Sequence, residues 1–75
     1  MNLSKKTLTF IEKHVLPNLG SESITTDNLQ EIVDFISDNF EIPLVQAKEA
    51  GESIDEDLLE SASFAITEIT TNPDW

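Results

Sequence analysis

The chain has 75 residues, with fifteen Asp and Glu against four Lys and no Arg, a formal net charge of −11, 39% hydrophobic residues and no cysteine. A chain this short buries one thin core, yet its apolar share is too high for a disordered acidic tail. Disulfides, cysteine-based zinc sites and thiol catalysis are excluded, and so few cations argue against nucleic acid or an anionic membrane as direct partners.

The absence of cysteine fits a reducing compartment, so a cytoplasmic location is expected. Lys5 and Lys6 have no apolar run behind them, so no signal peptide is expected. No stretch approaches the ~20 apolar residues of a membrane span. Charge is also uneven along the chain: residues 1–13 hold three lysines and one glutamate, and residues 14–75 hold one lysine and fourteen acids. A basic protein surface is the partner that this distribution favours.

The first helix is predicted from about Ser4 to Leu16. Leu3, Thr7, Leu8, Phe10, Ile11, His14 and Val15 share one side of its wheel, and Lys5, Lys6, Thr9, Glu12 and Lys13 share the other. Pro17 disfavours helical geometry at the residue before it, so the helix should stop there, with Asn18 to Gly20 as a turn. The next helix is predicted over about 26–41. Thr25 would cap it, Ile24 and Leu29 have the spacing of a hydrophobic staple, and Asp27 would sit in the first turn. Pro43 should push Ile42 out of helical geometry and open a short helix over 43–50, closed by Gly51. One kinked helix over 26–50 is the competing reading. Asp55 is the expected cap of the last helix, with Ile54 and Leu59 as a second staple and Ser53 with Glu56 as a rival capping box. Leu58, Leu59, Ala62, Ala65, Ile66 and Ile69 make its inner face, and Asn72–Pro73 should end it. No period-two alternation predicts a strand. The expected fold class is all-α, a small bundle of three main helices plus one short helix, forming a single acidic domain over residues 1–75.

Glu31, Asp34, Asp38 and Glu41 recur at helical spacing, opposite Leu29, Ile32, Val33, Ile36 and Phe40. On an ideal helix the four carboxylates fall within about 80° of arc and span roughly 15 Å of axis. Like charges so placed repel by a few tenths of a kcal/mol per pair, and no lysine interleaves to offset this. A row of one sign is either an ordinary solvated face, screened by salt, or a mimic of phosphates presented to a Lys/Arg groove. Asp55, Glu56, Asp57 and Glu60 form a second acidic cluster, which suits the first turn of a helix. An EF-hand reading of Asp55-x-Asp57 fails at Leu58 and Leu59. Phe64 and Phe35 stand away from the apolar faces of their helices, by about 160° and about 120° on ideal geometry. Each is either a second core contact or an exposed aromatic anchor, and Trp75 poses the same choice. His14, on the inner side of its helix, reads as structural. One histidine and no cysteine cannot form a conventional zinc set, and Gly20 and Gly51 stand alone, so no phosphate cradle forms. No catalytic residue, metal or cofactor is expected.

Asp27-Asn28-Leu29, where the second predicted helix begins, resembles the Asp-Ser-Leu motif of acyl carrier proteins, which are acidic four-helix domains of this length. Phe40-Glu41-Ile42-Pro43 is similar to the segment that follows the second helix in that family. The resemblance covers roughly residues 27–43 and implies a carrier-like helical fold. The family's motif serine bears a phosphopantetheine arm; Asn28 stands in its place and cannot carry one.

These features lead to a non-catalytic protein-binding domain. The leading expectation is an acidic decoy or inhibitor, a nucleic-acid mimic occupying the basic surface of a nucleic-acid-binding protein or nuclease, of the phage or mobile-element anti-defence type. Glu31, Asp34, Asp38 and Glu41 would make the contact with Phe64 as apolar anchor, and Asp57, Glu60 and Trp75 are secondary candidates. The alternative is a small helical adaptor or homo-oligomerising module using Phe35, Phe64 and Trp75.

Overall fold

The computed structural model of the protein describes residues 3–71. Ser4 has extended backbone and its side chain accepts from the Thr7 N–H, which starts α1, Lys5–His14. Thr7, Phe10 and Ile11 turn inward from α1, followed by Val15 and Leu16, while Lys5, Lys6, Thr9, Glu12 and Lys13 face water. This is the predicted division of the wheel.

The chain does not turn at Pro17. A short second helix, α2, spans Leu16–Leu19 with Pro17 in its first turn, where a missing N–H leaves no intrahelical bond unmade. The Asn18 side-chain amide donates to His14 O at 2.9 Å and serves one of the carbonyls that the break in α1 exposes. Gly20, at φ 69, closes α2 in the left-handed region, and the Ser21 N–H returns to Leu16 O. The expected turn over 18–20 is therefore the end of a helix, and the bundle's short helix lies here.

The next helix, α3, spans Leu29–Ile36 and begins later than the predicted Thr26. Asn28 is the reason. Its Oδ1 accepts from the Thr25 N–H at 2.8 Å and its Nδ2 donates to Ser23 O at 2.9 Å. These local bonds hold 25–28 in a turn that competes with helix, so Asn28, and not Thr25, occupies the position before the helix.

After Ile36 the backbone stays helical through Ser37 (φ −60, ψ −51), Glu41 (φ −64, ψ −56) and Ile42 (φ −61, ψ −51). Ser37–Glu41 form a π turn, with the Ile42 N–H bonding to Ser37 O, and α4 continues over Ile42–Glu49. The expectation that Pro43 expels Ile42 from helical geometry is thus corrected. A proline inside an α-helix lacks a donor and collides with the carbonyl four residues back; an i→i+5 turn immediately before it opens the room. Residues 29–49 are one rod, as in the kinked-helix reading. The rod ends at Gly51, at φ 85, where the Gly51 N–H reaches Lys48 O and the Glu52 N–H reaches Ala47 O, both at 3.0 Å.

The last helix, α5, spans Glu56–Thr71. Asp55 caps it as predicted, its Oδ1 accepting from the Leu58 N–H at 3.1 Å. Its predicted end at Asn72–Pro73 lies outside the described residues. Among those residues the fold is all-α, with three long helical stretches and one short helix.

α5 runs through the middle of the bundle. On one flank α1 is antiparallel to it: the Ser4 N–H donates to the Glu68 carboxylate near one end, and Lys6 meets Glu60 further along. On the other flank the 29–49 rod is antiparallel to it, tied by Glu41 to Ser63 and by Lys48 to Glu56. Ala62 and Ala65 are fully enclosed on α5, and small residues there let both neighbours approach closely. Around them pack Phe10, Ile11, Val15, Leu16, Ile32, Ile36 and Ile69. Full burial of an isoleucine such as Ile11, Ile32 or Ile36 stabilises by about 1.5–3 kcal/mol. No helix among the described residues is long and apolar enough to cross a membrane.

Candidate protein-binding surface

The predicted acidic row lies on the outer side of the rod. Glu31, Asp34 and Asp38 are exposed, and Gln30 Nε2 steadies Asp34 Oδ1 at 2.9 Å. The ion pairs among the described residues are Lys6 with Glu60 at 3.3 Å and Lys48 with Glu56 at 2.7 Å. Neither touches the row, so its three carboxylates carry their charge uncompensated by the protein's own lysines.

Glu41 leaves the row. It is half-buried and its Oε2 accepts from Ser63 Oγ at 3.0 Å. The π turn causes this. Bonding from i to i+5 takes one residue more per turn than i to i+4, so Phe40 and Glu41 both sit on the inner side. Ile42 then takes the outer position that an uninterrupted α-helix would give Glu41. Ile42 is 44% exposed and Val45, three residues on, 38%. The sequence reading does not single out this pair. The available signal is Pro43, placed behind two consecutive residues that the rod turns inward.

The other candidates are spread over the molecule. Asp57 and Glu60 are exposed on the first half of α5, and Glu60 is engaged by Lys6. Phe64 is 43% exposed, but Lys6 Nζ lies 5.5 Å from its ring centroid, which covers one face with a cation. Phe35 is half-buried and packs against the core, 6.2 Å from the Phe40 ring. Trp75 lies outside the described residues. The second acidic cluster has one perturbed member: the Lys48 ammonium, by its hydrogen bond and then by its charge, holds the Glu56 carboxyl below the ordinary glutamate value.

His14 is built into an aromatic cluster, 5.1 Å from Phe10 and 5.7 Å from Phe40, with those two rings edge-on at 5.3 Å. Such tilted and edge-on pairs add about 0.5–1.5 kcal/mol beyond area burial, so the imidazole reads as part of the seam between α1 and the π turn. Lys5, Lys13 and His14 border an open groove beside it, away from any acidic partner among the described residues. Asn28 lies immediately before α3, with its amide committed to Ser23 and Thr25. Among the described residues no three His, Cys, Asp or Glu side chains gather in a way that could hold a metal ion.

Chemically the surface offers a one-signed acidic row joined to an apolar pair, which can attract and orient a cationic partner. Comparison with protein families, curated proteins and solved structures finds nothing that matches this chain.

Proposed function

We propose that the protein is a non-catalytic binding domain that acts as an acidic decoy, occupying the basic surface of a nucleic-acid-binding protein with the outer face of its 29–49 rod. The observation that carries the reading is that Glu31, Asp34 and Asp38 stand exposed in one row with no lysine among the described residues paired to them. Unopposed charge of one sign steers encounter with the opposite sign. Inhibition of a nuclease, as in anti-defence proteins, is the biological setting that suits such a decoy.

Affinity capture from cell extract tests this, with the wild-type protein and the double exchange Asp34→Lys, Asp38→Lys as baits, each with and without competitor DNA. Cationic nucleic-acid-binding proteins should be retained by the wild type, released by DNA or by salt, and lost from the charge-reversed bait. Retention of the same proteins by both baits would remove the decoy reading.

A further inference from the structure

The outer row of the rod changes character at the π turn. Glu31, Asp34 and Asp38 precede it; Ile42, Val45 and then Glu49 follow, and all six are exposed. Single exposed aliphatic residues are ordinary. These two differ in being an i, i+3 pair on α4, a helix with no buried residue, aligned with a charged row by a backbone irregularity. At 1.5 Å per residue the row is roughly 27 Å long, which is the length of about five helical turns. Neither ion pair among the described residues involves any of its four acids, so the row is free to meet cations from outside the chain. A groove of lysines and arginines shaped only for phosphates would leave Ile42 and Val45 without a contact.

We propose that this row is a composite docking strip for a cationic amphipathic helix of a partner protein, whose Lys or Arg side chains meet Glu31, Asp34 and Asp38 while its aliphatic side chains cover Ile42 and Val45. The proposal rests on the reading that the row meets a cationic protein, and it names the element that the row recognises. It also moves the apolar anchor from Phe64 to the rod.

Two synthetic helical peptides of about five turns test it by titration calorimetry. One carries lysines in the half that faces the acids and leucines at i, i+3 in the half that faces α4. The other has the same lysines, with serine in place of leucine. The wild-type protein should bind the leucine peptide about tenfold tighter than the serine peptide. The double exchange Ile42→Ser, Val45→Ser should erase that margin, the milder Val45→Gln should reduce it, and Phe64→Ser should leave it intact. Circular dichroism shows whether each variant keeps its helices. A margin that survives Ile42→Ser, Val45→Ser, or one that vanishes with Phe64→Ser, overturns the proposal while leaving the acidic row in place. If Asp34→Lys, Asp38→Lys leaves both peptides bound as before, the reading of the row as a cation-binding face is what fails. A dimer seen by sedimentation that dissociates on Ile42→Ser, Val45→Ser would assign the apolar pair to a second copy of the chain and also overturn it.

Discussion

Glu41 and Ser63 are joined across the bundle, the serine Oγ donating to Glu41 Oε2 at 3.0 Å between the π turn and α5. The bond separates one acid from its three predicted companions. It makes Glu41 a structural residue, whereas Glu31, Asp34 and Asp38 remain open to a partner.

Stability should register that difference. A hydrogen bond to a charged group contributes about 1.5–3 kcal/mol when buried, and this one is only half-buried. Ser63→Ala should therefore lower unfolding free energy by about 1 kcal/mol in urea denaturation, while Asp38→Ala should change it by less than about 0.5 kcal/mol. Equal effects would mean that the Glu41 carboxylate is as free as the others.

Pro43 and the π turn should be coupled. Deleting Asn39, an exposed residue of that turn, would restore i→i+4 bonding and return the proline to an ordinary helix interior, at a cost of about 3 kcal/mol. In a Pro43→Ala background the same deletion should cost far less. A double-mutant cycle followed by urea unfolding measures the coupling. Additive losses would show that the π turn has some cause other than the proline.

Gly51 closes the rod at φ 85, and a Cβ built there meets nothing within 4 Å. Gly51→Ala thus has room, and its cost is conformational alone, about 1 kcal/mol. Gly51→Asn should cost less, since Asn tolerates the left-handed region better. Thermal denaturation of both variants checks the order.

Ala65 is fully enclosed against its neighbours. Ala65→Leu would push α1 or the rod off α5, with an expected loss of about 1–3 kcal/mol or more. A stability equal to wild type would mean that the helices do not approach closely at this level.

The ion pair of Lys48 with Glu56 should be visible in a pH titration. The folded-state carboxyl of Glu56 titrates below its ordinary value because Lys48 binds and faces the charged form. Its contribution to stability is therefore present above the unfolded value and is lost as pH falls through the lowered folded value. Carboxyl carbon NMR should show a depressed Glu56 midpoint that rises in Lys48→Met. Both groups are exposed, so added salt should shrink the effect. A midpoint indifferent to Lys48→Met would show that the pair does not persist in solution.

Much of this architecture is legible in the sequence where periodicity and capping decide the outcome. The two faces of α1 can be read residue by residue, and so can the Asp55 cap, the inner face of α5 and the closure at Gly51. Three features could not be read that way. Asn28 diverts the chain through bonds to Ser23 and Thr25, which outweigh the staple spacing of Ile24 and Leu29. Pro17 starts a helix where the same residue could equally follow one. Pro43 is absorbed by the π turn immediately before it, a backbone irregularity that a 3.6-residue period does not announce. The acidic row was legible up to Asp38. Beyond that point a shift of one residue, invisible to a 3.6-residue period, exchanges a carboxylate for an aliphatic side chain.

The central position of α5 also bears on how the molecule comes into being. α1 and the rod each close on α5, yet α5 follows both of them in the chain. A nascent chain that has not reached Glu56 holds the aliphatic sides of its earlier helices, Ile11, Ile32 and Ile36 among them, without the alanine surface that encloses them. Contacts such as Ser4 with Glu68 link residues 64 apart in sequence, so α1 and α5 must meet across a long separation. Truncation inside α5 would therefore remove a packing partner from α1 and from the rod together.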